Sequence, residues 1–270
     1  MLVIFIFLVS CSAKRYIYSP SVPNDPYFTE SGQAKIAGYY SGGGNSHTDN
    51  ATEHQENNGM DLQGAYSITD HVALTVSYFN RKERDVYPQP DYNYFTSSEV
   101  KYKRNLTEFG VGYFAALDKT QTVWVNIYAG VGTGNFSFDD WGQDQSGAAY
   151  TRAYDSRVVK YFIQPAFNCF AGKYVRLGLI GKLSFVRYKH ISTSYNDTEL
   201  QYFNLDLMPH NTFRFFEPAI TMQAGFPKCD WLKVEGELGF ASNPAINSNL
   251  RSRNFNASFG VSFNFSTRKK

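Results

Sequence analysis

The sequence has little of what marks helical membrane proteins, disulfide scaffolds and nucleic-acid-binding proteins. Beyond its first residues, no apolar run in the 270-residue chain approaches the ~18 residues that a membrane-spanning helix needs. The 3 cysteines are too few for a disulfide framework. A net charge of +2 gives no hint of a nucleic-acid partner. Low net charge combined with many apolar residues also excludes intrinsic disorder.

Aromatic residues are the unusual part of the composition. The chain has 20 Tyr and 23 Phe, although its mean hydropathy is -0.39 and 19% of its residues are charged. The length fits two ordinary domains or one all-β barrel, so length alone does not decide between them.

From residue 32 onwards apolar and polar residues alternate, which is the period of a β-strand and not of a helix. In the last such segment the apolar residues Phe255, Ala257, Phe259, Val261, Phe263 and Phe265 alternate with polar or small ones. The pattern predicts strands near 32–42, 58–68, 72–85, 99–117, 122–139, 152–171, 175–191, 212–226, 231–242 and 253–265.

The connections between these strands alternate in length. Short turns are predicted at 69–71, 118–121, 172–174 and 227–230, and long polar loops near 43–57, 86–98, 140–151, 192–211 and 243–252. Alternation of this kind is typical of outer-membrane barrels, which have an even number of strands, tight periplasmic turns and longer extracellular loops. A soluble sandwich has no reason to sort its loops by length.

We therefore predict an all-β fold: a transmembrane up-and-down antiparallel β-barrel of about ten strands, with its apolar face towards lipid. A lipocalin-like soluble barrel, with the apolar face inside, is the alternative. Aromatic residues cluster towards the strand ends, where they are expected to form girdles at the two headgroup levels. These residues are Tyr39 and Tyr40, Tyr66, Tyr78 and Phe79, Tyr113 and Phe114, Phe136 and Phe138, Tyr174, Tyr188, Phe226, Trp231 and Phe240.

The N-terminal residues 1–10 are almost wholly apolar and precede Cys11, which is typical of a secretory signal. Leu8-Val9-Ser10-Cys11 resembles a bacterial lipobox, although the chain has no Lys or Arg before the apolar run. A short buried apolar strand is the alternative. The proline-rich residues 11–31 are expected to form an extended periplasmic linker, residues 32–265 the barrel and residues 266–270 a polar tail.

The segment from Tyr18 to Ile36 resembles the lead-in to the first strand of Bacteroidota-like outer-membrane barrel lipoproteins. The resemblance implies lipidation at Cys11, a Gram-negative outer-membrane location and periplasmic termini. The residues after Cys11 are basic, whereas surface-export signals in such lipoproteins resemble acidic runs. The lipid anchor is therefore expected in the inner leaflet.

Charged residues are predicted inside the barrel. Lys35, Lys160, Arg176, Lys182 and Lys233 are set against Asp61, Glu108, Glu217, Glu235 and Glu237 at positions of inward parity. Because unpaired charges away from water are costly, this balance favours a salt-bridged plug. A narrow channel that selects small charged solutes is the alternative.

Catalytic and metal chemistry have weaker support. Asp85, Asp139, Asp140 and His190 end strands on the long-loop rim and resemble the acidic rim of omptin-type barrel proteases, but the closely spaced Asp and His of that family are absent. The histidines of the glycine-rich stretch 42–56 have no metal-site spacing. We expect no enzyme activity, no cofactor and no metal. A rim-site protease or lipid-modifying barrel enzyme is the third hypothesis.

Interaction is the preferred function. Loops 86–98 and 192–211 are richer in apolar and aromatic residues than solvent-exposed loops need. They either contact an envelope partner or fold over the barrel mouth. The sequence thus predicts a non-enzymatic structural or accessory subunit of the cell envelope, in contact with outer-membrane lipid and not with nucleic acid. A porin-like channel is the second hypothesis.

Overall fold

The structure is a computed structural model that describes residues 14–44, 54–87, 96–143, 146–172, 174–243 and 250–266. Ten strands form a closed barrel in the order β10-β12-β2-β3-β4-β5-β6-β7-β8-β9. They are β2 (Gln33–Gly44), β3 (His54–Ser67), β4 (Val72–Val86), β5 (Thr96–Ala116), β6 (Val123–Gln143), β7 (Ala149–Phe170), β8 (Val175–Thr193), β9 (Phe213–Phe226), β10 (Cys229–Phe240) and β12 (Phe255–Ser266).

All neighbouring barrel strands are antiparallel, and the last strand, β12, closes the ring between β2 and β10. Closure removes the free sheet edges that lipid could not hydrogen-bond. Short connections gather at one end, called the short-turn end below, and the longer ones at the opposite, long-loop end. This is the predicted fold class, and the predicted strands agree with the observed ones to within a few residues at most ends.

The turn between β5 and β6 shows how the short connections are fixed. Asp118 accepts hydrogen bonds from the hydroxyls of Thr120 and Thr122 and, at 2.8 Å, from the backbone N–H of Val123. These bonds, led by that from Thr120, hold the pKa of the Asp118 carboxyl well below its ordinary value. One side chain thereby closes the loop and defines where β6 begins.

The barrel wall is uneven in height. Strands β5 and β6 have 21 residues each and β7 has 22, whereas β2, β10 and β12 have 12. A tilted strand needs only ~9–11 residues to cross a bilayer. The predicted loop 140–151 is mostly wrong. Gln143 pairs with Ala149, so the β6–β7 ladder continues almost to the tip of this hairpin.

The outer face of the barrel is apolar. Large side chains at outward positions are strongly exposed, among them Ile36 (60%), Phe109 (57%), Leu179 (58%) and Phe259 (65%). A continuous exposed band of this kind is typical of a lipid-facing surface and not of a soluble monomer. In the described part of the chain, no helix is long and apolar enough to span a membrane.

The aromatic residues are divided between the two faces of the wall. Of the neighbouring pairs assigned to the girdles, Tyr40, Tyr78 and Tyr113 face outward, while Tyr39, Phe79 and Phe114 are buried inside. Phe136, Phe138 and Tyr188 are also buried. Adjacent strand residues point to opposite faces, so only one ring of each pair can reach lipid. The girdle explanation is wrong for the inner half, which forms a lumen core instead.

The remaining elements occupy the lumen and its long-loop mouth. β1 (Arg15–Tyr18) pairs in parallel with β11 (Leu250–Ser252), which lies between β10 and β12 in sequence. α1 (Asp197–Tyr202) and a short 3-10 helix (Leu205–Leu207) lie between β8 and β9 in sequence. None of these four elements was predicted, because each is too short for a sequence period to show.

Candidate functional site: the plugged lumen

The N-terminal segment 14–32 fills the lumen from one end to the other and is called the plug below. At the long-loop end the carbonyl of Lys14 accepts a hydrogen bond of 3.0 Å from the Tyr87 hydroxyl. At the short-turn end the backbone N–H of Ser31 donates to Asp70 at 2.8 Å. Every residue from 15 to 28 is buried. Residues 15–28 of the predicted linker therefore pack inside the barrel.

Two arginines hold the plug at the long-loop end. Arg15 donates to Asp140 at 2.5 Å and to Ser97 at 2.8 Å, and all three residues are buried. Nη2 of Arg253, just after β11, donates to both oxygens of Asp85 at 2.8 Å. Buried ion pairs of this kind fix position because breaking them leaves an unpaired charge.

Wall side chains also bind the backbone of the plug. Arg104 on β5 donates to the carbonyls of Tyr16 and, at 2.7 Å, Ile17. The hydroxyl of Tyr188 donates to the same Ile17 carbonyl at 2.5 Å. An extended segment within a barrel lacks ladder partners for many of its carbonyls, so these donors satisfy groups that would be costly to bury unpaired.

The half of the plug nearer the short-turn end, called the lower plug below, is held by side-chain amides. Asp25 accepts hydrogen bonds from Asn126 at 2.6 Å and from Asn168 at 2.8 Å. Asn24 donates to the carbonyls of Gly64 and Val76, each at 3.0 Å. The plug is thus bound along its length by groups from β3, β4, β6 and β7.

The sequence-predicted charge network lies in the lumen. Lys35 pairs with Glu235 at 2.9 Å. Glu108 lies between two lysines, with Lys160 at 2.9 Å and Lys182 at 2.8 Å. Two further carboxylates also have cationic partners: Lys160 reaches Glu217 at 3.5 Å, and Arg81 reaches Asp61 at 3.4 Å.

Three of the predicted charges stand apart from these pairs. Both carboxylate oxygens of Glu237 are buried without a hydrogen-bond partner in the described structure. Arg176 and Lys233 line a vestibule of about 570 Å³ at the short-turn end, which Glu30 and Asp230 also line. A cavity beside the plug, near Ile17, measures about 30 Å³. That is space for a few waters at most and not for a solute path.

The long segment between β8 and β9 forms a cap over the lumen. Phe203, Leu205 and Met208 are buried in the same aromatic core as the plug. The Arg15 guanidinium lies 3.9 Å from the centre of the Phe203 ring. These apolar residues therefore fold over the mouth, and that part of loop 192–211 is no exposed patch. Most of loop 86–98, the stretch 88–95, lies outside the described residues.

The proposed catalytic rim residues are not brought together. Asp85 and Asp140 face inward, where Arg253 and Arg15 engage them. Asp139 lies on the outer face, 3.9 Å from Lys103, and His190 is exposed on β8. Within the described ranges no set of three or more His, Cys, Asp or Glu side chains could hold a metal ion. Cys11 and His47 lie outside those ranges.

Five charged residues of the site were not predicted from the sequence. Arg15, Arg81, Glu83, Arg104 and Arg253 are all buried in the lumen. A signal was available for Arg81, Glu83 and Arg104, since they share inward parity with neighbours on β4 and β5. No periodic pattern marks Arg15 or Arg253, which lie in irregular or very short segments.

Comparison with known proteins adds the fold and no family. No protein-family model matches the sequence, and no curated protein matches it. The translocator domain of the autotransporter NalP from Neisseria meningitidis is similar in structure, with a TM-score of 0.51 and 8% identity over 87% of this chain and 88% of that one.

Two other solved structures are more distant. An outer-membrane channel from Pseudomonas putida F1 has a TM-score of 0.44 and 12% identity over 90% of this chain and 100% of that one. The outer-membrane protease OmpT from Escherichia coli has a TM-score of 0.41 and 12% identity over 86% and 96%. Neither likeness is close enough to carry an argument about activity. The fold is that of a closed transmembrane β-barrel of the outer-membrane type.

Proposed function

We propose that the chain is a closed barrel of the bacterial outer membrane that acts as a non-enzymatic structural or accessory subunit of the cell envelope. One observation carries the proposal: the plug is buried from residue 15 to residue 28 and bound along its length by the wall. A lumen filled in this way offers no standing path for solutes. Binding of an envelope partner through loops 86–98 and 192–211 stays a prediction.

The direction of the plug bears on the topology of the described chain. Lys14 lies at the long-loop end and Ser31 at the short-turn end. If the long loops are extracellular, the described chain starts on the extracellular side of the lumen, which does not fit the periplasmic N-terminus expected from sequence. Cys11 lies outside the described residues, and its lipidation and the leaflet of its anchor stay predictions. The C-terminal strand β12 ends at the short-turn end, on the periplasmic side of the same topology.

A channel that opens when the plug leaves is the second candidate. It is favoured by the polar wall that the plug covers, which includes unpaired buried atoms of Glu237, Asn168 and Tyr128. Such a wall would take up water readily once exposed. A rim-site protease or lipid-modifying enzyme has no assembled group of residues to support it in the described structure.

Solute efflux from liposomes that contain a quantified amount of inserted protein tests whether the plug closes the lumen. The full chain should insert, as shown by flotation with the vesicles, and remain silent. Changing Asp25→Ala together with Asn24→Ala loosens the lower plug and should produce efflux, whereas Lys119→Gln in an exposed turn should not. Steady efflux through the unaltered chain would overturn the plugged lumen and establish a channel. Silence of the loosened variant, with insertion confirmed, would contradict the plug as the barrier that closes the lumen.

A further inference from the structure

Among the described barrel strands, outward-facing positive charge without an ion pair occurs at one end only. Arg157 on β7, Arg187 and Lys189 on β8, and Arg214 on β9 are exposed at outward positions and are called the cation cluster below. They lie on the long-loop side of the apolar band, which on the same strands includes Tyr161, Leu183 and Phe216. The cluster therefore sits at the level where lipid headgroups meet the barrel.

The opposite boundary of the band has another composition. Outward strand positions at the short-turn end include Tyr66, Tyr113, Phe226 and Trp231. In the described barrel strands, no outward position at the short-turn end holds Lys or Arg. Among the described residues, the exposed cations nearest that end, Lys119 and Lys228, lie in turns. Lys173, Arg268, Lys269 and Lys270 lie outside the described ranges. The two headgroup layers that this barrel meets are thus expected to differ in their anionic groups.

No member of the cluster forms an ion pair in the described part of the chain. Arg157 lies directly opposite Lys189 in the β7–β8 ladder, an arrangement that destabilises a sheet unless an anion joins the two. Among the described residues, the one side-chain hydrogen bond of the cluster is that from Arg187 to Thr212 at 2.6 Å. The outward carboxylate of Asp155 lies two positions beyond Arg157, opposite Ser192.

Most cations at similar height on β4 and β5 are compensated, although Lys82, which lies opposite Lys103, forms no ion pair among the described residues. Arg84 pairs with Glu99 and lies 3.7 Å from Glu56. Lys101 lies 3.2 Å from Glu99, and Lys103 lies 3.9 Å from Asp139. At this level Arg84, Lys101 and Lys103 each have a carboxylate within 4 Å, whereas no member of the cation cluster does among the described residues.

We propose that the cation cluster binds a phosphorylated saccharolipid, a lipid whose rigid sugar headgroup carries more than one phosphate, in the leaflet at the long-loop end. The cluster spans three adjacent strands, about 10 Å at the usual strand spacing, which is more than one phosphate contacts. Guanidinium groups bind phosphate through two parallel hydrogen bonds. The acyl chains would lie on the apolar band below, against Tyr161 and Phe216. The inference depends on the lipid-facing band and not on the plug.

Native mass spectrometry of the detergent-folded full chain, titrated with diphosphoryl lipid A, tests the proposal. The unaltered chain should retain the lipid, and the variant Arg157→Gln, Lys189→Gln, Arg214→Gln should bind it at least tenfold more weakly. The variant Arg84→Gln, Lys101→Gln, Lys103→Gln loses the same charge at the same end and should bind within twofold of the unaltered chain.

Lipid selectivity of the unaltered chain gives a second measurement that needs no variant to fold. Diphosphoryl lipid A should bind at least tenfold more tightly than phosphatidylglycerol, with monophosphoryl lipid A in between. Equal binding of phosphatidylglycerol would overturn the saccharolipid in favour of any anionic headgroup. Equal loss of binding in the two triple variants would overturn the cluster as its site.

Discussion

The guanidinium of Arg253 lies over the ring of Tyr16, 3.9 Å from its centre, and so joins the return segment between β10 and β12 to the plug. The same arginine bonds both oxygens of Asp85 and, at 3.1 Å, reaches Glu83. One side chain thus connects the wall, the plug and the last connection of the barrel. Its position makes the long-loop end of the plug sensitive to single substitutions.

Replacing Arg253→Gln should destabilise the folded barrel by about 3 kcal/mol, because Asp85 is left buried without a charged partner. Glu83 keeps Arg104 at 3.2 Å, so the loss falls mainly on Asp85. Urea unfolding in detergent measures the change. The double variant Arg253→Gln, Asp85→Asn should recover part of it, and a double variant as unstable as the single one would contradict the assignment.

A methyl group at Gly178 should disturb the lower plug. A Cβ there would lie 2.4 Å from Thr221 Oγ1, 2.6 Å from Asn168 Oδ1 and 2.8 Å from Tyr27 Oη. Gly178→Ala should therefore cost about 1–3 kcal/mol and raise solute efflux from liposomes, because Tyr27 belongs to the plug. Gly181→Ala on the same strand is the control, since its nearest neighbour, Phe216 Cε2, is 3.5 Å away. Equal effects of the two variants would refute the mechanism.

The cap should loosen in acid through Glu199. Burial opposes ionisation of this carboxyl, but hydrogen bonds from Arg152 and from the Asn196 backbone N–H lower its pKa overall from the ordinary value of 4.5. A lowered folded-state pKa contributes stability above the ordinary value, and that stability is lost as the pH falls through the folded one.

Hydrogen exchange of residues 197–202 should thus quicken, once the intrinsic pH effect is removed, as the pH falls below about 4.5. Glu199→Gln retains an acceptor for the Asn196 N–H but has no charge to titrate. It should exchange faster at neutral pH and show little further change in acid. An unaltered acid response in this variant would assign the titration to another group.

His190 occupies a strained backbone position at an irregularity of the β7–β8 ladder. Its φ is 51°, in the left-handed region that β-branched residues avoid. His190→Val should lower stability by about 1–2 kcal/mol, while His190→Gly should be neutral or stabilising. Thermal midpoints in detergent measure both. Lys189→Val, at a regular neighbouring position, should have a smaller effect than His190→Val.

The barrel itself was largely predictable. Alternation such as that in Phe255–Ser266 is a local property, because each residue's face depends only on its parity along the strand. The same parity predicts Lys35, Lys160 and Glu235 inside the lumen, although it does not show which partners they meet. The girdle prediction failed because neighbours such as Tyr39 and Tyr40 cannot both face lipid. Aromatic composition does not show which of two registers a strand adopts.

The sequence by itself determined the strands, their number, the segregation of loops and the inward charges, since all of these follow from local period and turn chemistry. Only the tertiary structure decided that residues 14–32 fill the lumen, that the long segment after β8 caps it, and which charges meet. The reason is physical: Arg15 and Asp140, or Arg253 and Asp85, are far apart in sequence and are joined only by closure of the barrel. No local pattern records such a contact.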